Sequence, residues 1–164
     1  MQPGAIHEAL NPLKWIMGTW RSINAEGSFP TIEPFTFCEE ISFTSVGQPV
    51  LNYNSVTWHP TKLTPMHLES GFLRIKPGTN SVSFMVAHNF GLTSLEEGTV
   101  TENILQVKTS HIGRMRFGKD PKVCEIARSY KLIEEGKLEL ILLISTVNTP
   151  LDQHLKVQYE KCLS

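Results

Sequence analysis

Cysteine is scarce in this chain. Cys38, Cys124 and Cys162 are an odd number, scattered without CxxC spacing, which excludes a disulfide framework and a cysteine-based zinc site and points to a reducing compartment. An excess of one charge is also missing: 15 Lys and Arg face 16 Asp and Glu, and no block of like charge forms a tail. A phosphate-tracking surface needs concentrated basic residues that release counterions, so no nucleic-acid partner is expected. Long apolar runs are absent too. The longest, residues 138–144, is interrupted by Glu139, and the start, MQPGAIHEALNPLKW, has no basic stretch leading into an apolar one. Neither a leader nor contact with a membrane is expected, and the expected location is cytoplasmic, with the nucleus left open.

The usual catalytic signatures are missing as well. No GxGxxG or P-loop pattern provides a phosphate cradle, no HExxH offers paired metal ligands, and no GxSxG frames a serine nucleophile. His67 and Glu69 have the HxE spacing of a zinc deaminase, but the PCxxC pair that would complete that metal shell is lacking.

What is present suits a single domain, 1–164. Hydrophobic residues make up 40% of the 164 positions and 11 glycines bring the apolar share to the globular norm, enough for one core without staples. One short helix is expected near the start, with Asn11 as cap, Pro12 in the first turn, Leu13, Trp15, Ile16 and Met17 as apolar surface, and Gly18 at the end. Beyond Gly18 the apolar period becomes two. Leu138, Leu140, Leu142 and Ile144 make one such row, Val82, Phe84, Val86 and His88 another, and Cys124, Ile126, Arg128, Tyr130 and Leu132 a third. Further strands are expected near 19–28, 34–43, 50–58, 66–75, 92–98, 103–109, 112–118 and 154–162. The breaks carry turn residues such as Gly47-Gln-Pro49, Lys76-Pro-Gly78 and Glu135-Gly136. Ten or so short sequential strands leave no room for parallel crossovers, so the class is all-β: an antiparallel up-and-down barrel whose closure removes its edges. A barrel of that size keeps a cavity, and the helix would plug one end.

Six histidines are the remaining carriers of chemistry. His7 and His59 sit in an arm and a turn where solvent suffices, and His111 is weakly placed beside an expected turn. His88 shares the inward row of β-alternation with Val82, Phe84 and Val86, so its imidazole needs a partner or a ligand; a hydrogen-bonded core histidine is the simpler account. His67 lies opposite Met66, Leu68 and Phe72, and alternation alone leaves its side undecided. In PLDQHLKVQYEKCL, His154 falls on a face with Lys156, Gln158 and Glu160, which directs it outward. A β-bulge near residue 154 would turn it inward without disturbing the later pattern.

Taken as strings, NPLKWIMGTW, GSFPTIEPFTFCEEISF, VGQPVLNYNSVTWHP, PMHLESGFLRIKPGTN, VSFMVAHNFGLTSLEEG and PLDQHLKVQYEK resemble the nitrobindin family of haem proteins. They are similar in particular to the nitrobindin-like domains that follow a THAP-type zinc finger in animals. The resemblance implies a ten-stranded antiparallel barrel related to fatty-acid-binding proteins, holding one heme b per chain. It implies that His154 is the iron ligand and the catalytic residue, and that Met66, His67, His88 and Ile144 line the pocket with Thr31 close to the haem. It also implies peroxynitrite isomerisation to nitrate and reversible nitric oxide binding as the activities, with a homodimer left open. The family's GxWxGxG is only partly kept: Gly18-Thr-Trp20 is present, while Ser22 and Asn24 stand at the later glycines, either near a propionate or farther off. The competing reading is a carrier of a fatty acid or other apolar ligand, which would reach a carboxylate with a buried arginine from among Arg74, Arg114, Arg116 and Arg128.

Overall fold

The computed structural model describes residues 4–163. A 3-10 helix, Glu8–Ile16, leads into β1 (Gly18–Phe29), β2 (Ile32–Thr36), β3 (Cys38–Ser45) and β4 (Val50–Trp58). Then come β5 (Pro65–Ile75), β6 (Ser81–His88), β7 (Leu92–Thr101) and β8 (Ile104–Arg114), followed by β9 (Val123–Glu134), β10 (Lys137–Thr146) and β11 (Thr149–Lys161). Each strand from β3 onward pairs antiparallel with the next, and β11 pairs with β1 to close the sheet. The segments β2 and β3 both pair with β1 and meet at Phe37, so they form one broken stave, and the closed barrel has ten.

The helix differs from its expected start and form. It begins at Glu8, three residues before Asn11, and the cap is His7, whose Nδ1 accepts from the Ala9 amide at 3.1 Å. The reason is its period. Leu10, Leu13 and Ile16 are three apart and fully buried, and side chains at i and i+3 eclipse in a 3-10 helix, giving one narrow apolar stripe. Trp20 Nε1 donates to the Ile16 carbonyl at 2.8 Å and ties the helix to the start of β1, so it covers the barrel end where β1 begins. Among the described residues no helix is long and apolar enough to cross a membrane.

Strand alternation places the core. Val82, Phe84, Val86 and His88 point inward from β6, and Ile126, Arg128 and Tyr130 from β9, with rows of exposed or half-buried residues between them. Aromatic rings join across the interior: Tyr53 meets Phe84 at 4.8 Å and Phe43 at 5.1 Å between centroids. Two expected strands, 103–109 and 112–118, are one strand, β8, bulged where Leu95 opposes His111 and Glu96 opposes Thr109; residues 115–118 lie beyond its end. The last strand begins at Thr149, five residues earlier than expected.

Close backbone approach accounts for one strand glycine. A Cβ added at Gly71 on β5 would lie 1.8 Å from the Met85 carbonyl oxygen on β6. Gly71→Ala is therefore expected to force β5 and β6 apart and cost about 2–3 kcal/mol, read as a lower urea midpoint.

Candidate functional site at the open end of the barrel

The barrel end opposite the helix gathers the end of β1, the start of β5, the end of β6 and the start of β11, and His154 stands there. Its orientation follows from an irregularity. Gln153 opposes Leu143 and Leu155 opposes Leu142, so His154 is an extra residue in the ladder, the bulge that alternation needs to free it from the outward row. The imidazole is half-buried, edge-on to Phe29 at 5.6 Å and 6.2 Å from the ring of Phe35. Phe35 reaches this position because Gly27 has no side chain: a Cβ there would lie 2.1 Å from the Phe35 ring.

His154 Nδ1 lies 3.0 Å from the carbonyl oxygen of Ser28. A carbonyl only accepts, so Nδ1 carries the proton and Nε2 presents its lone pair. Burial pushes the imidazole below its ordinary value of 6.5, and the bond to Ser28 only partly offsets it. The residue is thus held neutral, in one tautomer, with a free nitrogen, the state an iron ligand requires. On this observation the residues fit a haem bound through His154. In the ligand-free protein the NMR titration midpoint of His154 is expected below 6.5. The unfolded chain then takes up the proton first, so the contribution of this residue to stability is complete above about pH 6.5 and declines as pH falls toward the folded value. A midpoint above 6.5 would contradict the placement.

The other residues expected in the pocket divide. His67 points inward on β5 with Glu69 and Leu73, and its ring is 5.3 Å from that of His88. Ile144 continues the inward row of Leu138, Leu140 and Leu142 and is half-buried at the same end of the barrel. Thr31 sits exposed in the turn between β1 and β2, on the rim. Met66 does not join them: with period two it alternates away from His67 to the outer face and is 40% exposed. Ser22 and Asn24 stand farther off. They pair at the level of Tyr159 and Gln158, well along the barrel from His154, and the Ser22 hydroxyl accepts from the Glu39 amide at 2.8 Å.

Beneath the histidines lies a buried polar network that was not singled out as a site. Arg128 donates to Glu96 through Nε at 2.7 Å and Nη2 at 3.0 Å, and to Glu69 through Nη1 at 2.8 Å. Tyr53 donates to the same Glu69 oxygen at 2.9 Å, and Phe84 lies under the guanidinium at 5.1 Å. Burial alone would raise the Glu69 carboxyl, but the Arg128 guanidinium beside it, foremost among its neighbours, overcomes this and holds the group well below the usual carboxylate range. Elsewhere in the core Glu39 accepts from Ser55 and Tyr159, and its carboxyl is raised, burial outweighing those two bonds. The signal for the network was in the sequence: Glu69, Glu96 and Arg128 are charges standing in inward rows. Arg128 is also what a lipid carrier would need, and it is committed to two carboxylates. Arg74 and Arg116 are exposed and Arg114 is half-buried at the end of β8.

The chain is thus a closed antiparallel barrel with a helix at one end and a neutral, oriented histidine with a free ring nitrogen at the other. Residues 9–161 match the model of the THAP4-like, heme-binding beta-barrel domain, and the chain belongs to that family. It is similar to "Peroxynitrite isomerase THAP4" of Rattus norvegicus, 42% identical over 161 residues, 98% of this chain and 28% of that protein. It is also similar to "Peroxynitrite isomerase Rv2717c" of Arabidopsis thaliana, 37% identical over 95% of this chain and 90% of that one. The chain thus spans a little over a quarter of the THAP4 relatives and nearly all of the plant protein. Among solved structures, Rv2717c from M. tuberculosis superposes with a TM-score of 0.86 at 31% identity, over 96% of this chain and 99% of that one.

Proposed function

We propose that this chain is a ferric-haem peroxynitrite isomerase in which His154 would hold the iron of one heme b, and that the same site binds nitric oxide. The observation that carries the reading is the His154 imidazole, neutral and fixed by Ser28 with Nε2 free. The names of the relatives at 37% and 42% identity support it.

Bound ferric haem would supply the Lewis-acid chemistry for isomerising peroxynitrite to nitrate. The chain's own part is binding and exclusion. Ser28 fixes the tautomer of His154, so no proton is lost from the ligand during turnover. Phe29 and Phe35 shield the imidazole from water, and Ile144 extends the apolar wall. The reaction is an isomerisation, with no net gain or loss of protons. The three free thiols, Cys38, Cys124 and Cys162, suit a cytoplasmic setting.

The test is a hemin titration followed by stopped-flow mixing with peroxynitrite. One hemin per chain is expected, with decay accelerating in proportion to the haem-loaded protein and nitrate as the product. Unsaturable hemin uptake, or decay no faster than with free hemin, would remove the proposal.

A further inference from the structure

The geometry points to a second metal site, separate from His154: we propose that His67, Glu69 and His88 bind a divalent first-row transition ion of the zinc class. The three ligand atoms form a small triangle. His67 Nε2 is 3.0 Å from Glu69 Oε1, His88 Nδ1 is 3.2 Å from the same oxygen, and the two nitrogens are 3.2 Å apart. An ion about 2.0–2.2 Å from each donor, at angles between octahedral and tetrahedral, requires donor edges of about 2.8–3.6 Å. All three edges fall in that window.

Hydrogen counting shows why the triangle wants a cation. Ser94 Oγ donates to Glu96 Oε2 at 2.8 Å, so toward His88 Nε2, 3.0 Å away, it can only accept. His88 therefore carries a proton on Nε2 and turns Nδ1 toward Glu69 and His67. All three donor atoms turn toward one point, and an ion there would meet a carboxylate oxygen and two ring nitrogens at once. The charge balance of this network agrees: the carboxylates of Glu69 and Glu96 face the single guanidinium of Arg128, one negative group more than positive. An unpaired buried charge is costly, and an ion on the triangle supplies the missing positive charge.

The outer shell is already built. Ser94 fixes His88, Glu96 fixes Ser94, and Arg128 and Tyr53 hold the other oxygen of Glu69. Ligands oriented through their second atoms are what distinguish a metal site from a chance cluster. Two imidazoles and one carboxylate select zinc, cobalt, nickel or ferrous iron over the oxygen-seeking calcium and magnesium. The His67 side chain is 34% exposed while Glu69 and His88 are closed off, so entry and the remaining coordination positions lie on the His67 side, beside Phe90.

The test uses the tag-free full chain, without hemin, titrated with Co2+ and followed by its visible ligand-field bands. Uptake of one Co2+ per chain is expected, weakened by at least about 100-fold in His67→Ala and by about 10- to 100-fold in Ser94→Ala, where an orienting bond is lost. His67 is exposed enough for its variant to fold, which thermal melting verifies. His154→Ala is expected to bind Co2+ as the wild type does. No uptake by the wild type would overturn the proposal, a proton on His88 then completing the triangle. Equal uptake by His67→Ala, or loss in His154→Ala, would overturn it by placing the ion elsewhere.

Discussion

His154→Ala is expected to weaken hemin binding by at least about 100-fold, since loss of the ligand itself exceeds the cost of losing a supporting bond, and to return peroxynitrite decay to its uncatalysed rate. The side chain is half-buried at a bulge, so the barrel should survive within about 1 kcal/mol of the wild type. That separates loss of the ligand from loss of the fold. The space left between Phe29 and Phe35 has the shape of an imidazole ring, and added imidazole is expected to restore the Soret band in part. An unchanged Soret spectrum and nitrate yield in the variant would end the assignment of His154.

The second large effect concerns Arg128. Arg128→Leu leaves Glu69 and Glu96 facing each other in the core with no guanidinium between them, and removal of one partner from a buried ion pair costs about 3–5 kcal/mol. A lower denaturation midpoint with an unchanged m-value is expected. Replacing all three charges with leucine should recover part of the loss, because the desolvation cost then disappears with the charges, although Tyr53, Ser94 and the two histidines lose partners. A single variant within about 1 kcal/mol of the wild type would show that the network contributes little. The pH dependence has a fixed sign. Glu69 is held well below the usual carboxylate range, so its contribution is present above the ordinary carboxylate value of 4.5 and is lost as pH falls through the depressed one.

Much of the fold was legible because alternation is a local signal. The rows of β6, β9 and β10 could be read residue by residue, and turn residues marked the breaks. The helix start was not, because Asn11-Pro12 imitates an α-helical entry while Leu10, Leu13 and Ile16 obey a period of three. The β8 boundary failed for a similar reason: the bulge near His111 shifts the register in mid-strand and reads as a break. His154 shows the limit most clearly. Its inward turn depends on Gln153 and Leu155 opposing consecutive residues of β10, a pairing between strands that no local pattern reveals. His67 could not be assigned a side from its own strand, and its partners Glu69 and His88 come together only when β5 meets β6. Met66 was placed in the pocket by resemblance although β5 alternation turns it outward.

The pairing of β11 with β1 has a consequence for biosynthesis. His154 and its acceptor Ser28 are 126 residues apart, and the sheet has no closed form until the final strand is available. A chain whose β11 has not yet been made therefore lacks the His154 ligand, and cofactor insertion must follow synthesis of that strand. Long-range closure of this kind also slows folding, toward the millisecond-to-second regime of domains built from distant contacts. A truncation lacking residues 149–164 should accordingly leave a sheet with two open edges, prone to association with its own copies.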